Sequence, residues 1–355
     1  MMDVKKELFA NAYKNRIPLT ATIEIISECN FRCVHCYVDN NFRKDILTYE
    51  EIIDFGNQII NMGCLYVILT GGEVLLHPDF KRIYEFFVLK GICVSVFTNG
   101  SLIDESIIKL FVKYPPRVVE ITMYGFSADT YKKVAKSNMY DIVKNNILLL
   151  TQNGINVLLK MFVLSLNYCD FYKIREFALE NSIPFKYDSR IIAPLDSSEI
   201  KYQLHEKDAI ELELARFSTV KKYNEYTYEY IVDKRYNKVF QCGAGRISCW
   251  LKSNNHFRIC NFLSNFEFDM KKYKVAEVWN LISNYIEKKI DENSKCYNCK
   301  YRNYCDFCPA ISYVTFQNAD MINQHNLYCK KAEMRALYSK NKEANSDDDL
   351  SNTWI

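Results

Sequence analysis

Three cysteines stand on one short stretch, Cys29-Asn30-Phe31-Arg32-Cys33-Val34-His35-Cys36, directly after an apolar run that ends at Ser27. Three thiols so close together point to metal chemistry. A loop leaving a strand end can wrap a cubane and bring three thiolates to three irons. A [4Fe–4S] cluster normally takes four cysteines, so three would leave one iron open, and an open position is what metal catalysis requires. Zinc competes for the same residues, because thiolates suit it and the adjacent His35 could complete its four ligands.

A second motif, Thr70-Gly71-Gly72-Glu73, closes the next strand-like run at the same end of the sheet. Paired glycines let backbone approach a ligand closely. The carboxylate beside them could receive an ammonium, whereas alone the pair reads as a tight turn. The chain holds 14 cysteines, and eight fall between 242 and 329: Cys242, Cys249, Cys260, Cys296, Cys299, Cys305, Cys308 and Cys329. Eight thiols suffice for two four-iron clusters, while a zinc knuckle over Cys296–Cys308 would use only four. Cys64 and Cys93, beside or within strands, read as buried core thiols, and Cys169 receives no role.

The elements that must position these groups follow from periodicity. Apolar runs at 22–27, 65–69, 92–97, 118–123, 155–163 and 185–188 read as buried parallel strands. Helical stretches separate them. Thr48 with Glu51 forms a capping box before the Ile52, Ile53, Phe55, Ile59, Ile60 stripe, and Gly63 stops it. Further helices start near Asp79, Asp104, Ser127 and Asp170, with Gly91 and Gly154 as stops. Six β-α repeats imply a parallel sheet with right-handed crossovers, open or curled. From about residue 224 this rhythm fades into a cysteine- and tyrosine-rich region. The expected division is an N-terminal extension (1–20), a core (21–223), a bridging and cysteine-rich part (224–337) and a polar tail (338–355).

The 355 residues are 49% hydrophobic, enough for a large core. With 46 basic and 43 acidic residues the net charge is +3, which gives no electrostatic case for nucleic acid or an anionic membrane. No run approaches the roughly 18 apolar residues of a membrane span, and the start lacks a secretory signal. The expectation is a cytoplasmic protein, where thiols serve metals rather than disulfides.

Together the cysteine loop and the Gly-Gly-Glu turn resemble the radical S-adenosylmethionine (SAM) family, whose CxxxCxxC stands here as Cys29, Cys33 and Cys36 and whose GGE stands as Gly71, Gly72 and Glu73. The resemblance covers roughly residues 20–200 and implies an α/β fold, a partial (β/α)6 TIM-like barrel. It also implies a [4Fe–4S] cluster whose open iron is chelated by the amino and carboxylate groups of SAM. Reduction would yield a 5′-deoxyadenosyl radical that takes hydrogen from substrate. Glu73 would bind the amino group. His35 fills the family's aromatic position, and Asn99 and Asn167 stand where such enzymes contact the cofactor. Lys160, on the fifth strand, either faces the barrel interior or snorkels outward, and Asp188 and Arg190 stand near the end of the sixth strand.

The downstream cysteines resemble the SPASM extension with two auxiliary [4Fe–4S] clusters. By that analogy Cys242, Cys249, Cys260 and Cys308 hold one, and Cys296, Cys299, Cys305 and Cys329 the other. Two departures stand out. Cys305 and Cys308 are separated by two residues where three are usual, and Asn255 replaces a glycine, although Asn tolerates positive φ. Sulfatase-maturing relatives carry an aspartate as proton acceptor after the hairpin cysteine; here it is Asn261, an amide that cannot serve so.

Relatives with this extension often modify peptides or proteins, so ribosomal peptide maturation is the leading expectation. A flavodoxin or ferredoxin would be the electron donor. About twenty residues precede the first strand, too few for a leader-binding domain, so a separate partner would bind a leader. The tyrosine-rich stretch 223–236 could line a peptide groove or form an ordinary half-buried strand. The alternatives are a small-molecule substrate in cofactor biosynthesis, or a non-enzymatic zinc or electron-transfer protein.

Overall fold

The computed structural model describes residues 4–36, 44–189, 201–205, 207–212, 238–263, 266–316 and 326–344. Arg190 and the stretch 223–236 lie outside them.

Six parallel strands follow in sequence: β1 (Thr20–Ile26), β2 (Tyr66–Gly71), β3 (Cys93–Thr98), β4 (Val118–Thr122), β5 (Val157–Phe162) and β6 (Phe185–Asp188). Each pairs with the next, giving the partial barrel expected. The helices between them are α2 (Tyr49–Asn61), α3 (Phe80–Leu89), α4 (Glu105–Lys113), α5 (Ala128–Ala135), α6 (Tyr140–Gln152) and α7 (Phe171–Glu180), preceded by α1 (Val4–Asn15). The capping box of α2 is made in both directions, with Glu51 N–H donating to Thr48 Oγ1 at 3.2 Å and Thr48 N–H to Glu51 Oε2 at 3.0 Å. Gly63 ends the turn after α2 at φ +95°, a conformation that favours a residue without Cβ.

Alternation along the strands decides the two faces of the sheet. Ile23, Val67, Leu69, Val96, Val119, Ile121, Leu159 and Met161 are fully buried against the helices, where they meet Ile52, Phe55, Ile59, Ile83, Phe87 and Ile147. The intervening residues, on the inner face, include Glu24, Ser95 and Glu120, buried but polar. The strands are therefore not apolar on both faces. Glu120 is paired with Lys186 at 2.5 Å and Lys160 at 3.5 Å, which places the Lys160 head in the interior rather than in open water.

The sheet does not stop at the barrel. β7 (Ser248–Leu251) lies parallel to β1 on the side away from β2, and β8 (His256–Arg258) and β9 (Glu267–Asp269) continue antiparallel. One nine-stranded sheet results, in the order β6-β5-β4-β3-β2-β1-β7-β8-β9. Asn255, at the β7–β8 turn, takes φ +60°, so the asparagine in the glycine position supports the turn. The last helix, Asn326–Ala344, runs past the expected start of the polar tail. Among the described residues no helix is long and apolar enough to cross a membrane.

Candidate functional site

The cysteine loop leaves the C-terminal end of β1 and is held from two sides. On one side is the end of β2. Gly72 N–H donates to Ile26 O and Glu73 N–H to Glu28 O, both at 2.7 Å. A Cβ on Gly72 would collide with the carbonyl oxygens of Ser27 and Glu28, and one on Gly71 with that of Ile26. The paired glycines are thus required by the contact between β2 and the stem of the loop. Gly72→Ala is expected to lower stability by about 3 kcal/mol, the upper range for overpacking, because backbone must move. Thermal unfolding of the metal-free protein measures it; an unchanged midpoint contradicts this packing.

On the other side is the C-terminus of α5. That helix ends where Lys136 turns to φ +53°, leaving carbonyls without intrahelical partners. Arg32 N–H takes Ala135 O at 3.1 Å and Val34 N–H takes Val134 O at 2.9 Å. The break between α5 and α6 thereby supplies two anchors for the loop. Phe31, 1% exposed, is the apolar anchor and packs edge-on to Tyr124 and Tyr131.

Cys29, Cys33 and Cys36 form no disulfide and are partly accessible, with Cys29 and Cys33 packed against the main core. Phe31 N–H lies 3.4 Å from Cys29 Sγ and Asn99 Nδ2 lies 3.9 Å from it. Asn99 also donates to Asn30 Oδ1 at 2.8 Å. His35 stacks near Phe162 and Tyr124, with Nδ1 buried and without a hydrogen-bond partner. Burial, helped by the Lys160 charge, pushes its pKa down to about 4, which keeps the ring neutral at physiological pH.

Two residues expected to face a cofactor are occupied otherwise. The Glu73 carboxylate is fully buried and accepts from Thr98 Oγ1 at 2.6 Å, Asn99 N–H at 2.7 Å and Leu75 N–H at 3.1 Å. Burial raises its pKa, and the three donors oppose that shift. It braces the ends of β2 and β3 together. Asn167 is also fully buried. Its Oδ1 accepts from Leu164 N–H at 2.7 Å, and its Nδ2 donates to Tyr124 O at 3.0 Å and Phe162 O at 3.1 Å. Asn167 therefore fixes the strand ends behind the loop. Sequence spacing locates such residues but cannot tell a loop brace from a ligand contact.

The downstream cysteines separate into groups. Cys296, Cys299, Cys305 and Cys329 line one cavity with Arg302, Phe307 and Tyr328, the four thiols assigned together by analogy. Burial pushes the Cys305 thiol up to about 11. Cys260 is pushed up to about 12, first by burial, with Cys308 and Cys242 close enough to add to the shift. Cys249 stands apart: it is 2% exposed and 4.0 Å from Thr20 O, and burial first, then the nearby Cys64 thiol, pushes its pKa up. The pairing of β7 with β1 places it in the core. Cys64 is a core thiol as expected, whereas Cys93 is exposed, because it is the first residue of β3, at the N-terminal end of the strand. Among the described residues no three His, Cys, Asp or Glu side chains converge closely enough to hold one metal ion. A four-iron cubane spreads its thiolates over separate irons, so three on one loop or four around one cavity suit it without converging on a point.

Comparison with known proteins agrees with this architecture. Residues 23–178 match the model of the radical SAM superfamily. Residues 23–178 thus form a radical SAM domain, and a cysteine-rich region follows it. Among curated proteins, the antilisterial bacteriocin subtilosin biosynthesis protein AlbA of Bacillus subtilis is 25% identical over 163 residues, 45% of this chain and 36% of AlbA. GTP 3′,8-cyclase of Aliarcobacter butzleri is 29% identical over 35% of this chain and 40% of its own length. The matched segments thus span well under two thirds of these relatives. Solved structures match more broadly. Streptococcus suis SuiB bound to S-adenosylmethionine superposes with TM-score 0.70 at 16% identity, over 93% of this chain and 84% of SuiB. The anSMEcpe structure with bound AdoMet gives TM-score 0.70 at 18% identity, over 94% and 100%. At these identities the likeness establishes the fold. SuiB is also known with the precursor peptide SuiA, and anSMEcpe with a Cp18Cys peptide.

Proposed function

We propose that this chain is a radical SAM enzyme that modifies a peptide or protein. Cys29, Cys33 and Cys36 would hold a [4Fe–4S] cluster with one iron free for the amino and carboxylate groups of SAM. When bound and reduced, that pair supplies a 5′-deoxyadenosyl radical able to remove a hydrogen atom from substrate. The protein's part is to hold the loop. The Gly71–Gly72 backbone and the α5 carbonyls fix its stem and middle, and Phe31 plugs it into the core. The neutral His35 ring, tilted against Phe162, covers one flank without adding charge. Cys296, Cys299, Cys305 and Cys329 would hold one auxiliary cluster, and Cys242, Cys260 and Cys308 would serve a second.

The observation that carries the reading is the three-thiol loop strapped to the Gly-Gly strand end inside a radical SAM domain. The peptide substrate is supported by the bacteriocin biosynthesis relative and by the peptide complexes of the two structural neighbours. A leader-binding partner and a flavodoxin or ferredoxin donor belong to the same proposal. A small-molecule substrate is the second reading, favoured by the GTP 3′,8-cyclase match. Anaerobic co-expression with short peptides encoded beside the gene separates the two. A defined mass change in one peptide, lost when Cys33 is replaced, is expected. Unchanged peptides, from a protein that nevertheless cleaves SAM, would favour the small-molecule reading.

A further inference from the structure

The inner face of the barrel carries a group of charges with no part in holding the cysteine loop. Glu120 on β4, Lys160 on β5, and Lys186 and Asp188 on β6 alternate with the helix-facing residues of their strands, so all four face the lumen. Lys160 and Lys186 stand directly opposite one another in the β5–β6 register. Like charges placed so repel, and one carboxylate is shared between them. Lys186 Nζ takes Glu120 at 2.5 Å, while Lys160 Nζ stays at 3.5 Å, long for a hydrogen bond. Burial lowers the pKa of Lys160 most; Glu120 opposes that, Lys186 adds to it, and Asp188 opposes it least.

The two lysines are held but not covered. Their side chains are 25% and 45% exposed, against 4% for Glu120, so both can still take a ligand. Aromatic rings bound the pair. Lys160 Nζ lies 4.4 Å from the centre of the Phe162 ring, and Lys186 Nζ lies 5.5 Å from that of Phe97. His35, beside Cys36, lies 5.2 Å from the same Phe162 ring. One ring therefore separates Lys160 from the cysteine loop.

We propose that Lys160 and Lys186 form a carboxylate-binding subsite in the barrel lumen, which seats an acidic side chain of the substrate peptide beside the cysteine loop. This rests on the peptide reading above. An ammonium carries three donors, and its long contact to Glu120 leaves Lys160 able to take a second carboxylate. The two oxygens of one carboxylate can bridge the two ammonium groups, and each such contact is charge-assisted. Aromatic walls keep the local dielectric low, which strengthens the contact. A side-chain amide of the same shape brings no charge, so the lysines would select acid over amide.

SAM carries a carboxylate of its own, so the test is run with SAM at saturation. The probes are two acetylated, amidated peptides, Gly-Gly-Glu-Gly-Gly and Gly-Gly-Gln-Gly-Gly. Their binding to the full-length, anaerobically reconstituted protein is measured by ligand-observed nuclear magnetic resonance. The Glu peptide is expected to bind about tenfold more tightly than the Gln peptide. Lys160→Gln leaves Glu120 its short contact to Lys186 and is expected to cut that preference to about twofold or less. Glu120→Gln removes the competing anion and is expected to raise the preference by about threefold. A cluster that only supports the barrel would not shift binding in opposite directions.

Equal binding of the two peptides to the wild-type protein, or an unchanged preference in both variants, overturns the proposal. A preference seen without SAM and lost with it would give the lysines to the cofactor's carboxylate, which also overturns it. So would GTP that binds while the two peptides show no difference, because the subsite would then serve a phosphate. Should Lys160→Gln fail to fold, Glu120→Gln decides, and a preference that does not rise overturns the proposal. A wild-type protein that shows the preference but does not cleave SAM would support the subsite and remove the enzymatic reading.

Discussion

Alanine at Cys29, Cys33 and Cys36 together is expected to remove about four irons per chain and to reduce SAM cleavage to the level of a protein-free control. The downstream cysteines are not expected to take their place, because four of them line a separate cavity and Cys242, Cys260 and Cys308 lie near one another. The fold should survive. The loop is positioned by Phe31, by the α5 carbonyls and by Gly72, none of which depends on a thiol. Replacing partly accessible cysteines should cost on the order of 1 kcal/mol, a small part of the stability of a chain this size. Iron analysis, 5′-deoxyadenosine assay and thermal unfolding check the three parts separately. A triple variant that retains SAM cleavage contradicts the assignment of the loop. One that unfolds outright contradicts the account of what holds it.

The second large effect concerns the seam between the barrel and the cysteine-rich region. Lys252, just past β7, places Nζ 2.5 Å from Glu24 Oε2 on β1, and Ser253 Oγ donates to Glu24 Oε1 at 2.8 Å. The two side chains are 13% and 3% exposed, so the charges have little water to fall back on. Lys252→Met keeps the length of the side chain but leaves the carboxylate buried with one hydroxyl donor. Breaking a buried pair from one side typically costs about 3–5 kcal/mol. Denaturant unfolding should show this as a lower midpoint, and Glu24→Gln in the same chain should restore part of it by removing the stranded charge. A loss below about 1 kcal/mol would mean that the pair is effectively solvated, as surface ion pairs are. Lys252 Nζ also lies 3.3 Å from Asn261 Oδ1, beside Cys260, so the seam reaches the second cysteine group.

Much of this was legible in sequence because local signals agreed with tertiary demands. All six barrel strands overlap their expected runs, and the Thr48–Glu51 box and the glycine stops at 63, 91 and 154 hold in detail. The Asn255 turn was readable because its steric requirement is local. What escaped depends on partners distant in sequence. Residues 127–152 read as one helical stretch, yet the chain breaks at Lys136 because the carbonyls of α5 are taken by Arg32 and Val34. The domain division at 224 gave no hint that β7 would pair with β1, since a strand of four residues carries little pattern. Cys249 looked like one ligand among eight, and only that pairing turns it toward Cys64. Glu73 lies just past β2 and Asn167 in the turn after β5, and the donors and acceptors that hold them come from their own turns and from neighbouring strand ends.

In the proposed function, the N-terminal cluster would offer one iron to SAM. Pulsed electron–nuclear double resonance on the reduced protein, with SAM labelled by nitrogen-15 at its amino group, reads that contact directly. A nitrogen-15 coupling strong enough for a bond to iron, absent in the Cys29, Cys33 and Cys36 triple variant, is the predicted result. A reconstituted cluster that gives no such coupling in the presence of excess SAM would contradict it.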